Sequence, residues 1–197
     1  MAKAPVPGRV KTRLCPPLSP VQAAALALAA LEDTLAAAAG CGAERRVMAL
    51  DGEPGPWLPP GIGVMPQAGG ALGERMAAAF AAVEPPALMI GMDAPQLTVA
   101  LLDAGLAALA RHDAALGPAE DGGYWAIGLR RPVPGVFDGV PMGGPGTAAA
   151  QRRRLEQLGL SVAGLPPLRD VDTIEDARTV AATAPGTRFA AALAAID

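Results

Sequence analysis

The sequence predicts an α/β protein built on a mostly parallel sheet, and three observations carry that reading. Segments of strand character alternate with helical segments along the whole chain. The run Ala87-Leu88-Met89-Ile90-Gly91-Met92 is apolar almost throughout, the pattern of a strand buried on both faces, and it stops at Asp93. Ser19-Pro20-Val21-Gln22 is a complete helix start: Ser as N-cap, Pro at the first helical position and Gln closing a capping box.

Each element follows from local chemistry. The first helix is predicted from Ser19 to about Ala39, ending at Gly40-Cys41-Gly42. Arg46–Leu50 is a short strand, the Pro/Gly-rich stretch from Gly52 to Gly63 a loop, and Val64-Met65 a brief strand. Ala71–Val83 is helical, Ala87–Met92 a strand, Thr98–Arg111 a helix and Ala114–Leu116 a strand. Tyr124–Leu129 reads as a strand, Thr147–Leu158 as a helix and Ser161–Leu165 as a strand. Two helices close the chain, from Thr173, with Asp176 as its capping partner, to Ala182, and from Arg188 to Ala195. With no internal repeat and no linker, residues 1–197 form one domain.

Composition narrows the function. Ala, Gly and Pro supply 90 of 197 residues, which blurs hydrophobic periodicity because Ala suits either face of a helix. The net charge of −3 argues against a nucleic-acid partner, which calls for a basic surface. One His and two cysteines, Cys15 and Cys41, exclude zinc-finger spacings, a disulfide framework and any multi-His metal site, and fit a reducing cytoplasm. The basic residues ahead of the Ala23–Leu31 run imitate a signal peptide. Pro16, Pro17 and Pro20 separate charge from run, and Glu32-Asp33 end it after nine residues, so neither export nor a membrane span is expected.

Ligands of open α/β sheets bind beyond the carboxyl ends of the strands, so polar residues there matter most. Lys3, Arg9, Lys11 and Arg13 crowd a Pro/Gly-shaped loop, and the chain's two lysines are both in it against 14 arginines elsewhere and here. Compact ammonium groups suit phosphate oxygens; a solvated N-terminal arm is the plain alternative. Asp93 and Asp172 each follow a strand, as turn or cap residues do, and could instead meet across the sheet to share a hard cation such as Mg²⁺. Glu120-Asp121-Gly122-Gly123-Tyr124-Trp125 places two adjacent aromatics behind a Gly pair: a stacking wall, or residues alternating between strand faces. Gln67 and the Gly-rich turn to Glu74 open a helix without matching a Walker loop or a dinucleotide fingerprint.

Taken together, Lys3–Leu14, Gly70-Ala-Leu-Gly-Glu-Arg-Met76, Gly91-Met-Asp-Ala-Pro-Gln-Leu97, Glu120–Leu129 and Asp170-Val-Asp-Thr173 resemble the bacterial GT-A-like glycosyltransferase family of the rSAM/selenodomain-associated transferase 1 type. More distantly the chain is similar to 2-phospholactate and molybdenum-cofactor guanylyltransferases. The resemblance implies a Rossmann-like three-layer α/β/α sandwich of the nucleotide-diphospho-sugar transferase type. It also implies a nucleotide-sugar or NTP donor, a small-molecule or lipid-linked acceptor, and Mg²⁺ or Mn²⁺ as cofactor.

Residue by residue, it implies that Lys3, Pro5, Gly8, Lys11 and Arg13 cradle the phosphates, with Lys11 and Arg13 on the charge developed at transfer. Gln67 and Gly73 line the base pocket, Asp93 is the principal metal ligand and Asp172 the second, and Asp121, Gly123, Tyr124 and Trp125 face the sugar or acceptor. Two departures stand out. The family begins with an apolar strand before Lys-Ala-Pro, where this sequence has only Met1-Ala2, so the first strand is expected to be missing or truncated. Pro141–Thr147 also lacks the Trp-Ser/Gly-Thr pattern usual there. The resemblance leaves glycosyl transfer, nucleotidyl transfer and a non-catalytic nucleotide-binding accessory role as the competing readings.

Overall fold

A computed structural model describes residues 1–196. Its strands are β1 (Ala2–Lys3), β2 (Val47–Asp51), β3 (Gly63–Pro66), β4 (Ala87–Ile90), β5 (Ala114–Pro118), β6 (Tyr124–Leu129) and β7 (Val162–Gly164). Its helices are α1 (Pro20–Gly40), α2 (Leu72–Ala81), α3 (Val99–Ala108), α4 (Thr147–Gln157), α5 (Ile174–Thr183) and α6 (Arg188–Ala194). The strands form two sheets, a parallel β1-β2-β3 and a mixed β4-β6-β5-β7 in which β6 runs antiparallel to both neighbours. The expected α/β class therefore holds, with a mixed second sheet instead of a mostly parallel one. The five residues 119–123 that join β5 to β6 are too few for a parallel crossover, so these two strands must form a hairpin.

The helices flank the strands on two faces. On one, Leu31 and Leu35 of α1 cover Met48 and Leu50 of β2, while Leu102 of α3 packs with Ala115, Trp125 and Ala126. On the other, Met76 and Phe80 of α2 and Leu155 of α4 cover Leu116, Ile127 and Leu129. Helices α5 and α6 close over α1 through Val180, Phe189 and Leu193. The capping box read from sequence forms: Ser19 Oγ accepts from Gln22 N, and Gln22 Oε1 accepts from Ser19 N. By length and composition α1 could cross a membrane, and it runs well past the nine-residue Ala/Leu run, through Glu32 and Asp33. In the fold more than half of its apolar window is buried, and Asp33 caps α6 by accepting from the amides of Arg188 and Phe189 at 3.0 and 2.9 Å.

β1 is the hinge between the sheets. Ala2 and Lys3 pair with Leu50 and Asp51 of β2, and on the other side the Met1 ammonium donates to Ile90 O at 2.7 Å. β1 spans two residues. Behind Met1, between β2 and β4, lies a cleft lined by Val47, Ala49, Leu88 and Met89. For this reason all four residues of β4 are half-buried, where the sequence pattern predicted burial on both faces.

Candidate active site

The carboxyl ends of β1 and β4, the start of antiparallel β6 and the segment after β7 converge on one cleft of about 510 Å³. Lys11 organises it. Its backbone takes the left-handed conformation at φ 47°, the only non-glycine residue of the described chain to do so. A short 3-10 turn over Thr12–Leu14 follows. This bend delivers an 8%-exposed side chain whose Nζ lies 2.6 Å from Asp93 Oδ1 and donates to Val171 O at 2.5 Å. A strained backbone that persists at such a place is typical of a functional loop. Val171 N in turn donates to Asp93 O at 3.3 Å, so two segments 78 positions apart are stitched side by side. Arg13 Nη1 lies 2.5 Å from Asp172 Oδ2. The loop's cations and the strand-end carboxylates, read separately from the sequence, therefore form pairs.

Asp170 joins this group and was not singled out by sequence reasoning. Burial first, then the carboxylates of Asp93 and Asp121, push it up to about 7, with Asp172 adding and Lys11 opposing. No three His, Cys, Asp or Glu side chains among the described residues stand close enough to cage a metal by themselves. The donor set instead suits a hard cation that takes one or two carboxylates and completes its shell from substrate phosphates and water. Burial is the largest cause of the elevation at Asp170, ahead of the facing carboxylates of Asp93 and Asp121.

Other expected site residues divide. Lys3, Gln67, Asp121, Gly123 and Tyr124 line the cleft. Pro5, Gly8 and Gly73 do not: Gly8 turns the loop at φ 77°, and Gly73 sits against Phe137, where an added Cβ would come within 3.2 Å of Phe137 Cβ. Gln67 is not free to read a base. Its Nε2 donates to Ala2 O and Ala49 O at 2.8 and 3.1 Å, and its Oε1 accepts from Arg75 Nη1 at 2.9 Å. Trp125 reaches the cleft's lining but cannot serve as a stacking wall. It is 3% exposed, packed with Ala94, Leu97 and Leu102, and its Nε1 donates to Pro166 O at 2.9 Å. Tyr124 packs with the Met76 and Leu116 cluster and Trp125 with the Leu97 and Leu102 cluster, so the two adjacent aromatics lie on opposite faces. Tyr124 is the one on the cleft side, its hydroxyl among Met76 Sδ, Met142 Sδ and Gln151 Oε1, and its burial holds the phenol well above its usual range. Gly122 is required sterically: at φ 90°, a Cβ there would lie 1.9 Å from Pro145 O. Pro141–Thr147 thereby closes over the Asp121–Gly123 turn, and Ala148 N donates to Gly122 O.

Residues 22–144 match the model of a bacterial protein family described as "Uncharacterized protein conserved in bacteria (DUF2064)", which is well over half of the chain. The chain belongs to the DUF2064 family. The matched span holds Gln67, Asp93 and Asp121, while the Lys3–Arg13 loop and Asp170–Asp172 fall outside it. Among solved structures, this DUF2064 member is similar to a "putative nucleotide-diphospho-sugar transferase" from Desulfovibrio desulfuricans G20. The two are 32% identical with a TM-score of 0.83, over 92% of this chain and 84% of that one. Rv0371c from Mycobacterium tuberculosis H37Rv is 19% identical with a TM-score of 0.50, over 91% of this chain and 94% of that one, a likeness of fold alone. No curated protein matches the chain.

Proposed function

We propose that this DUF2064 protein is a divalent-cation-dependent transferase acting on a nucleotide-diphospho-sugar, the glycosyl-transfer reading of its site. The observation that carries it is Lys11, which ties the basic loop to Asp93 and to the Asp170–Asp172 segment within one strand-end cleft. The 32%-identical structure over most of both chains supports the same reading. Asp93 and Asp170 would hold Mg²⁺ or Mn²⁺, and the cation, when bound, supplies charge neutralisation for a leaving diphosphate. Asp172, the second ligand the resemblance implies, lines the same cleft and pairs with Arg13 at 2.5 Å, as Asp93 pairs with Lys11. Lys3, Lys11 and Arg13 stand where they could bind phosphate oxygens, and Lys11 touches the same carboxylate that would hold the cation, which makes phosphate and cation sites contiguous. Asp121, whose Oδ1 accepts from Gly123 N at 2.8 Å, would face the sugar or acceptor, with Tyr124 in the same cleft. Such a site needs no covalent intermediate; positioning and preorganised charge suffice.

The test is thermal protection by a panel of nucleoside diphosphates and nucleotide-sugars with and without Mg²⁺, on the wild type and Asp93→Asn. Protection that requires Mg²⁺ and disappears in the variant is the expected result. Equal protection without metal, or in the variant, would refute the reading. Product analysis then separates the two chemistries, since nucleotidyl transfer from an NTP releases pyrophosphate and glycosyl transfer from a nucleotide-diphospho-sugar releases a nucleoside diphosphate.

A further inference from the structure

Arg75 stands apart from the side-chain ion pairs around the cleft. Lys3 lies 4.0 Å from Asp51, Lys11 2.6 Å from Asp93 and Arg13 2.5 Å from Asp172. Arg75, on the first turns of α2, lines the same cleft and has no carboxylate partner among the described residues. Its single polar contact is Nη1 to Gln67 Oε1, and its Nε is buried without any hydrogen-bond partner. The adjacent Glu74 does not serve it, because its Oε2 accepts from Ala71 N at 2.7 Å to cap the helix.

A guanidinium carries five N–H donors and no acceptor. With Nη1 engaged by Gln67, the parallel Nε–H and Nη2–H edge is left, and that fork matches two oxygens of a carboxylate or phosphate. The side chain is held for this use. Both amide protons of Gln67 are spent on the carbonyls of Ala2 and Ala49, which fixes its oxygen toward Arg75. Leu72, Met76, Met89 and Met142 line the same cleft with apolar and thioether surface. An unsatisfied buried donor such as the Arg75 Nε is costly until an acceptor arrives.

We infer that Arg75 is an oxyanion receptor, and that a substrate of this protein carries a carboxylate or phosphate that docks on its Nε–H/Nη2–H edge, apart from the oxygens bound at Lys11 and the carboxylate cluster. The inference rests on the reading of this cleft as the substrate site, yet its test needs neither nucleotide nor metal.

Full-length protein labelled with ¹⁵N is titrated with inorganic phosphate, with acetate and with chloride at matched ionic strength, following the Arg75 Nε–H resonance. A saturable shift with phosphate, acetate or both, and none with chloride, supports the inference. Phosphate alone assigns a phosphoryl group, and acetate alone a carboxylate. No shift with either oxyanion, or the same shift with chloride, overturns it. Arg75→Lys keeps the charge but loses the fork and should weaken oxyanion binding by roughly tenfold; unchanged binding overturns the inference. If that variant does not fold, the wild-type titration decides alone. A positive titration alongside absent Mg²⁺-dependent nucleotide binding would refute the proposed function and leave this inference standing.

Discussion

Asp170→Asn is the perturbation that best isolates the site's electrostatics. In the folded protein burial and the facing carboxylates raise Asp170 from its ordinary 3.8 to about 7. Between those values the native state holds a proton that the unfolded chain has released, so stability falls as pH rises from about 4 through 7. Above pH 7 the carboxylate is charged in both states and the folded state carries the whole penalty. Three pH units correspond to about 4 kcal/mol at 1.36 kcal/mol each, and partial water access reduces this to roughly 2–4 kcal/mol. Asn keeps the shape and removes the charge. Urea unfolding at a series of pH values should show the variant more stable than the wild type by that amount at pH 8.5, with the difference shrinking toward zero near pH 4. Mg²⁺ at pH 8.5 should narrow the gap by stabilising only the wild type. A difference independent of pH, or a variant less stable at pH 8.5, would refute the electrostatic account.

Two further substitutions test the geometry around the cleft. Gly122→Ala forces a Cβ to within 1.9 Å of Pro145 O at a φ of 90°; it should cost about 1–3 kcal/mol and increase proteolysis of the 141–146 segment, and unchanged protease resistance would show that this loop does not close over the turn. Trp125→Phe removes the hydrogen bond to Pro166 O from a buried site. It should lower stability by about 1–3 kcal/mol without altering nucleotide-dependent protection, and a selective loss of that protection would restore Trp125 to the ligand site.

Much of this protein was legible in its sequence because the signals were local. The capping box at Ser19–Gln22 and the strand Tyr124–Leu129 appear where residue chemistry and pattern place them. The hairpin that makes the second sheet mixed was also written in the five-residue connection 119–123, a signal that needed only its length to be read. The candidate carboxylates Asp93 and Asp172 were recognisable because each follows a strand, and in this fold strand ends share one edge.

What the linear chain could not decide was which polar groups are already spent on each other. Gln67 looked like a ligand-reading amide until its three hydrogen bonds to Ala2, Ala49 and Arg75 came together in space. Arg75 was one arginine among many on a helix, and Asp170 one acid in a run of several. The sequence alone determined the alternation of strands and helices, the caps and the residues at the strand ends, because those depend on neighbours a few positions away. Tertiary structure alone decided that Lys11 and Arg13 pair with Asp93 and Asp172, that the Asp170 carboxyl is pushed up to about 7, and that Arg75 has no acidic partner among the described residues. Burial and charge compensation depend on groups brought together from as far apart as 160 positions, and only the closed fold sets those distances.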